Sequence, residues 1–394
     1  MLSSEHLAIV KATVPLLETG GEALTRHFYT ALLDGNPTLR PFFNETHQRS
    51  GQQQRALAHG VLTYARHIDE LERMGPLAAT IVNKHVALQI MPEHYPIVGA
   101  CLLSSIREVL GAEIATDAVI DAWAAAYGQL AEILISAEST IYADTAAKPG
   151  GWRGARRFVV VDRQRESQEI VSFILRPVDG GAVVAHEPGQ YIGLRLDIDG
   201  TEVRRNYSLS AASDGKGLRI SVKRETGGKA STWLHTRARI GDELDVFPPA
   251  GHFTLKAGAR PVVLISGGVG ITPTLPMLDA ALAAERPVHF IHAARHAGVH
   301  AFREHIDILA SRHSNLQRYY VYEQDDAKAA VQPHATGFIG EEHLHRWLPS
   351  DRDVDVYFLG PVGFMRAMKR HLAALGVPAS QVHYEFFGPA EALD

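Results

Sequence analysis

Pro261-Val262-Val263-Leu264-Ile265-Ser266 runs straight into Gly267-Gly268-Val269-Gly270-Ile271-Thr272-Pro273, and this join decides how the last third of the chain is read. The first six residues are an apolar run of the length of a buried strand. The glycine-rich turn and helix start behind it offer bare backbone N–H groups and a helix dipole, a combination that meets a dinucleotide phosphate. The turn is shorter than the GxGxxG fingerprint, so a plain tight strand–helix turn is the competing reading. Working outward, strands are expected at 261–266, 288–293, 317–322, 354–359 and 381–386, with helices at 273–284, 300–312, 341–347 and 364–375. Strand–helix alternation of this kind builds a doubly wound parallel sheet. Leu359-Gly360-Pro361 ends a later strand and sets a second turn on the same sheet edge.

Upstream the period changes to two. Arg157–Asp162, Ile170–Leu175, Tyr191–Ile198, Val203–Ser210 and Leu218–Arg224 alternate as strands separated by turn residues, as in a small antiparallel barrel. Gln190 and Tyr191 open one strand, and Arg205-Asn206-Tyr207-Ser208 lies along another. The latter sets a cation, a ring and a hydroxyl in strand-like sequence, which suits a flavin; ordinary strand aromatics are the plainer reading of either tyrosine alone. Lys223-Arg224 leads to Gly227-Gly228-Lys229-Ala230-Ser231-Thr232, a glycine turn opening a helix, where backbone N–H groups can hold a pyrophosphate. The chain closes on Glu385-Phe386-Phe387-Gly388-Pro389, where an aromatic residue past the last strand either covers a flavin face or anchors the C-terminus.

Residues 1–145 read as helices throughout, without period-two runs. Ser3 or Ser4 caps the first, with Leu7, Val10, Val14 and Leu17 on one face, and Gly20-Gly21 is expected to end it. A second runs from Glu22 to Leu33, Asn36-Pro37 starts a short one, and further helices cover roughly 50–66, 77–89, 94–110 and 117–141. Polar residues interrupt the apolar faces. His85 continues Leu77, Ile81 and Leu88, as a satisfied core histidine or as a metal ligand. Glu138 extends Ile120, Trp123, Tyr127, Leu130 and Leu134, so its carboxylate either points inward or frays into solvent near the helix end. A buried carboxylate needs a partner, and a histidine N–H is a natural one, with Tyr95 ahead of Pro96 able to complete the group. Gln53, Leu57 and Val61 share another face, Tyr29 lies beside the apolar face of the second helix, and Phe43 follows Pro41-Phe42 at a corner.

At 394 residues the chain has room for three cores: helices at 1–145, a barrel at 152–256 and an α/β domain at 260–394, with the Pro/Gly stretch Thr145–Gly151 as the first boundary. A net charge of −5 without a basic block argues against nucleic acid as a partner. No stretch reads as a transmembrane span, and the N-terminus lacks a signal pattern. Cys101 is the only cysteine, which excludes an internal disulfide, a four-cysteine iron–sulfur cluster and a CxxCH haem attachment. A cytosolic, monomeric redox protein with non-covalent cofactors is expected.

The Arg205–Ser208, Gly267–Pro273 and Glu385–Pro389 elements, in this order, resemble the ferredoxin–NADP reductase superfamily. With the helical block, the whole chain resembles the bacterial flavohaemoglobins, a globin fused to a reductase that carries FAD and takes NADH or NADPH. The resemblance implies that His85 ligates the iron of a haem b, with Glu138 and Tyr95 hydrogen-bonded behind it. It implies that Tyr29 and Gln53 contact bound O₂, that Leu57 gates the pocket, that Phe43 packs on the haem, and that Lys84 lies near the flavin domain. Many relatives carry cysteine where Leu359 stands. The activity it implies is nitric oxide dioxygenation to nitrate, with no obligate protein partner. Haem-dependent reduction of peroxide or nitric oxide is the alternative enzyme, and an oxygen-binding or sensing haemoprotein is the alternative class. For the nucleotide, Arg295 and His296 either meet a 2′-phosphate or are solvated.

Overall fold

The computed structural model describes residues 2–324 and 332–388. They divide into two compact units, one holding the helices up to Lys148, the other holding the chain from Pro149 to Phe387 apart from Glu202–Arg205.

The helical unit has seven α-helices among the described residues: α1 Ser4–Ala12, α2 Val14–Gly35, α3 Glu45–Arg49, α4 Gln52–Arg66, α5 Gly75–Leu88, α6 His94–Leu110 and α7 Asp117–Ala147. Ser3 caps α1 as expected, its side chain accepting from the His6 N–H. The expected break at Gly20-Gly21 is absent. The chain breaks at Thr13 instead, where Pro15 opens α2 in its first turn. A Cβ at Gly21 would lie 3.6 Å from the Ala58 Cβ, in ordinary contact, so this buried glycine faces α4 from inside α2 rather than ending a helix. α7 also runs past 141 to Ala147, which moves Glu138 from a fraying end into the helix body. By length and composition α7 could cross a membrane, contrary to the sequence reading. In this unit it faces the core: Ala122, Trp123 and Ala126 join a buried cluster with Leu24, Phe28, Leu32, Tyr64 and Ile106, and Leu134 and Glu138 are buried farther along the helix.

The second unit opens with a barrel of β1 Arg156–Arg165, β2 Ile170–Pro177, β3 Tyr191–Ile198, β4 Thr201–Ser208 and β5 Leu218–Lys223, then α8 Lys229–Thr236 and β6 Glu243–Val246. The strand order is β4-β3-β6-β1-β2-β5, and a Leu209↔Ile220 bridge ties the two edge strands together. β6 escapes the sequence reading because its alternation, Glu243-Leu244-Asp245-Val246, lasts only four residues.

The α/β part follows: β7 Val262–Gly267, α9 Thr274–Ala283, β8 Val288–Ala294, α10 Arg303–Arg312, β9 Leu316–Tyr322, β10 Ala335–Thr336, α11 Glu341–Trp347, β11 Asp355–Leu359, α12 Val362–Ala374 and β12 Val382–Tyr384. The sheet order is β10-β9-β8-β7-β11-β12, with parallel pairing throughout. The apolar run quoted first is its centre. Val262 and Leu264 face the core under α9 and α10, while Val263 and Ile265 face the core under α11 and α12. Helices on both faces bury both sets of side chains, hence no polar alternation in this strand. Pairing of Ser266 with His292 and of Leu359 with Ser266 brings the carboxyl ends of β8, β7 and β11 to one edge.

Candidate functional site

Three places in the two units collect the chemistry, and the first is behind His85. Glu138 is 2% exposed, so the inward reading of its carboxylate holds and the solvated one does not. Its Oε1 accepts from the Tyr95 hydroxyl at 2.6 Å and lies 2.8 Å from His85 Nδ1. A carboxylate can only accept, so Nδ1 carries a proton, and in the neutral imidazole Nε2 keeps its lone pair. Nε2 takes no hydrogen-bond partner among the described residues. Burial and the neighbouring Glu138 push the Tyr95 phenol far above its ordinary range, and the Tyr127 hydroxyl holds Tyr95 in place through its carbonyl at 2.7 Å. The stripe Leu77, Ile81, Leu88 beside His85 is only half-buried, whereas Val82, Val86 and Ala87 on the other side of α5 are buried. Leu57, Val61, Phe43, Ile97, Val98 and Leu130 are half-buried too.

Tyr29 on α2 is buried, and burial raises its pKa to about 12, with the Gln53 side chain as its hydrogen-bond partner. The phenol is therefore a protonated donor at any physiological pH. Phe28 and Phe43 meet its ring edge-on at 5.0 and 5.6 Å, fixing its direction. Gln54, not Gln53, is the buried member of the glutamine run, donating to Gln48. Lys84 is half-buried on α5 beside His85.

The second place is the barrel. Gln190 accepts from the Glu187 N–H and donates to the Gly251 carbonyl, which settles the turn before β3. Tyr191 is buried, and its hydroxyl has no hydrogen-bond partner among the described residues. Gly251, at φ +113°, leaves room for that ring, since a Cβ there would sit 2.7 Å from it. Asn206, Tyr207 and Ser208 lie on β4, with Asn206 exposed and the other two half-buried; Arg205 donates to the Arg204 carbonyl. Gly228 is the N-cap of α8 and supplies no side chain of its own. Ser231 Oγ closes this turn by accepting from the Glu225 N–H and donating to the Gly228 carbonyl, and Lys223 pairs with Glu225. No side chain caps the start of α8 among the described residues.

The third place is the carboxyl edge of the parallel sheet. Behind β7, Gly268 adopts φ +55°, and a Cβ on Gly270 would lie 2.1 Å from the Leu359 carbonyl oxygen. Only glycine lets the Gly267–Ile271 turn nest against Leu359-Gly360-Pro361. Val269, Thr272 and Pro273 carry the chain into α9, with Thr272 donating to the Val269 carbonyl. Phe386 packs on the core under α12, and Phe387 is exposed. Glu385 and Gly388 are described, whereas Pro389 lies outside the described residues.

Sequence reasoning missed a buried pair beneath this edge. His292 Nδ1 contacts Ser266 Oγ at 2.8 Å and His300 Nδ1 contacts the Tyr322 hydroxyl at 2.8 Å, with ring centroids 4.4 Å apart. Both Nε2 atoms are buried without a partner among the described residues. The only signal was histidine inside an apolar strand. Burial pushes His292 down to about 3 and His300 well below its ordinary value. The unfolded chain binds protons near pH 6.5 that the folded chain refuses. Stability is therefore intact above that pH and lost as pH falls from 6.5 toward 3. At pH 5 the loss from His292 alone is about 2 kcal/mol. The thermal midpoint of the second unit should fall between pH 7 and pH 5, and fall less in His292→Asn; an equal fall in both proteins refutes this assignment.

Family profiles match along the same order: Globin over residues 26–134, Oxidoreductase FAD-binding domain over 157–255 and Oxidoreductase NAD-binding domain over 264–370. The flavohemoprotein of Burkholderia sp. TH2 is 64% identical over 394 residues, covering all of both chains, and that of Pseudomonas putida is 63% identical over the same span. The chain belongs to the flavohemoprotein family. Among solved structures, the flavohemoglobin of Malassezia yamatoensis, which contains bound FAD and haem, aligns with TM-score 0.87 at 28% identity, over 98% of this chain and 100% of that one. The flavohem-like FAD/NAD-binding domain of nitric oxide dioxygenase from Vibrio cholerae aligns with TM-score 0.56 at 38% identity, over 60% of this chain and 100% of that one.

This flavohemoprotein chain is thus an oxidoreductase with a haem-type globin unit and FAD- and NAD-binding parts, and its residues fit those groups. Among the described residues no cluster of three or more His, Cys, Asp or Glu is set to hold a metal. One imidazole on a half-buried apolar helix stripe, its Nε2 without a partner among the described residues, suits an iron whose other ligands come from a flat apolar macrocycle. The unpartnered Tyr191 hydroxyl and the uncapped start of α8 suit a flavin dinucleotide. The nested glycine turns suit a nicotinamide dinucleotide.

Proposed function

We propose that this flavohemoprotein is a nitric oxide dioxygenase, converting nitric oxide and O₂ to nitrate at the expense of NADH or NADPH. The observation that carries the reading is the buried Glu138 carboxylate on His85 Nδ1. Bound there, the nucleotide would supply hydride, FAD would relay it as single electrons, and haem b, held through His85, would supply the redox centre for the reaction. The rest is done by the chain. Glu138 draws on the Nδ1 proton and makes Nε2 a stronger donor, which favours reaction over reversible gas storage. Tyr95 holds the carboxylate still. Tyr29, oriented by Phe43 and Gln53, offers a hydroxyl proton to a polarised ligand in an otherwise apolar pocket bounded by Leu57.

Within this reading the flavin is held by Gln190, Tyr191, Arg205–Ser208, Lys223, Gly228 and Ser231, with Glu385–Phe387 at its nicotinamide side. The nucleotide is held by Gly267–Pro273, and Leu359 takes the position beside nicotinamide. We assign the domains as 1–145, 152–256 and 260–394, and the protein as a cytoplasmic monomer.

The test is NAD(P)H-driven nitric oxide consumption with nitrate measured as product, with and without O₂. Fast O₂-dependent loss yielding nitrate is expected. Equal rates without O₂ would make the protein a reductase, and no catalytic loss would leave a carrier or sensor. In the same assay Tyr29→Phe should speed O₂ dissociation about tenfold, the lower end of the value of a hydrogen bond to a charged group, and lower nitrate formation under air. Flavin reduction should be unaltered. An unchanged O₂ off-rate removes Tyr29 from the site.

A further inference from the structure

At the carboxyl end of β8 the chain continues as Arg295-His296, and Arg295 is not merely solvated there. Its guanidinium is ion-paired with Glu169 on the β1–β2 turn, with side-chain exposures of 55% and 17%. Both backbones are fixed. The Gln324 N–H donates to the Arg295 carbonyl and the Glu323 N–H to that of Ala294, while the Arg224 N–H donates to the Glu169 carbonyl. Next door the Gln168 N–H donates to the Gly298 carbonyl, and a Cβ on Gly298 would lie 2.4 Å from Gln168 Nε2. The loop after β8 and the β1–β2 turn are therefore built together, and the ion pair is preset.

In a doubly wound sheet the pyrophosphate lies at the glycine turn after the first strand of the βαβ unit. The end of the next strand reads the ribose 2′ position: an acid takes the 2′-hydroxyl of NAD, and an arginine accommodates the 2′-phosphate of NADP. Here β7 carries the turn and β8 is its neighbour, paired through Gly267 and Ala293. Arg295 alone would predict NADPH. Its charge, however, is already met by Glu169, and Glu323 at the end of β9 adds a second exposed carboxylate nearby. A 2′-phosphate must displace Glu169 from Arg295 and then sit against a carboxylate left without its cation. A 2′-hydroxyl displaces nothing and can donate to the same carboxylate.

Resting on the reading that this sheet edge takes the pyridine nucleotide, we propose that Glu169 is a specificity-determining residue that makes the protein prefer NADH to NADPH. It lies 126 positions from Arg295 in sequence and belongs to the barrel rather than to the nucleotide-binding part, so no local motif records it.

The experiment is anaerobic stopped-flow reduction of the flavin in the full-length holoprotein by NADH and by NADPH. Wild type should be reduced with higher efficiency by NADH. Glu169→Gln, which keeps the shape and frees the guanidinium, should raise the NADPH-to-NADH efficiency ratio about tenfold, the scale of one charge-assisted contact in a partly exposed place. Glu169→Asp should keep the ratio near wild type. Adding Arg295→Ala to Glu169→Gln should bring the ratio back down. A wild-type preference for NADPH, or a Glu169→Gln ratio within twofold of wild type, overturns the assignment of Glu169 while the nucleotide site stands. Failure of both nucleotides to reduce the wild-type flavin overturns the site itself, and this proposal with it.

Discussion

His85→Ala is expected to yield a protein that still reduces its flavin with NADH but retains almost no haem and consumes no nitric oxide. The helical unit sets one imidazole on the half-buried stripe of α5 and has no cluster of other ligands among the described residues, so no second side chain stands ready. His59 and His94 are poor substitutes. His59 is exposed on α4, and His94 uses Nδ1 to accept from the Met91 N–H at 2.9 Å. The substitution also strips a buried carboxylate of one of its two donors, which destabilises the unit by roughly 1–3 kcal/mol. His85→Gln addresses that concern because it keeps an N–H donor near Glu138 while removing the imidazole. The measurement is the Soret band and extractable haem after gel filtration, with the flavin reduction rate alongside. A native-like Soret band in both variants sinks the assignment of His85. Loss of flavin reduction together with haem would mean that the variants disturb more than this site.

The legibility of the chain varied with the range of the physics involved. The strand at 261–266 and its glycine turn could be read because one local run of residues sets both burial and turn geometry. The barrel strands could be read through their alternation, except β6, which like the two-residue β10 of the parallel sheet is too short to carry a period. Gly20-Gly21 misled because a glycine pair looks the same locally whether it ends a helix or faces another from inside one. Only the neighbouring Ala58, brought in by the tertiary fold, separates the two. Glu138 was legible as a carboxylate on an apolar stripe, but its burial depended on α7 continuing past it, and helix ends are poorly marked without a cap residue. The His292–His300 pair and the Arg295–Glu169 pair left no pattern, since their members come from different strands and loops.

Glu138→Gln should reduce turnover by about 10–100-fold, the general scale for losing a partner behind a metal-bound histidine, without emptying the site. Glutamine preserves the volume, so α7 packing survives, and its amide oxygen can still accept from Tyr95 or from His85 Nδ1–H. What it removes is the negative charge. The imidazole then donates less strongly, the oxidised state loses stabilisation, and the ferric–ferrous potential should rise. Flavin reduction by NADH, which involves the other unit, should be unchanged. This combination separates an electronic role from a packing role. A structural residue replaced isosterically would leave the potential where it was, and if it acted on turnover it would do so through haem loss. Tyr95→Phe supplies the intermediate case. It deletes the 2.6 Å donor to Oε1 but keeps the carboxylate on Nδ1, so its shift should be smaller and should not exceed that of Glu138→Gln. A potential unmoved in Glu138→Gln, with turnover intact, would return this carboxylate to a merely satisfied core group, and the dioxygenase reading would lose the observation that carries it.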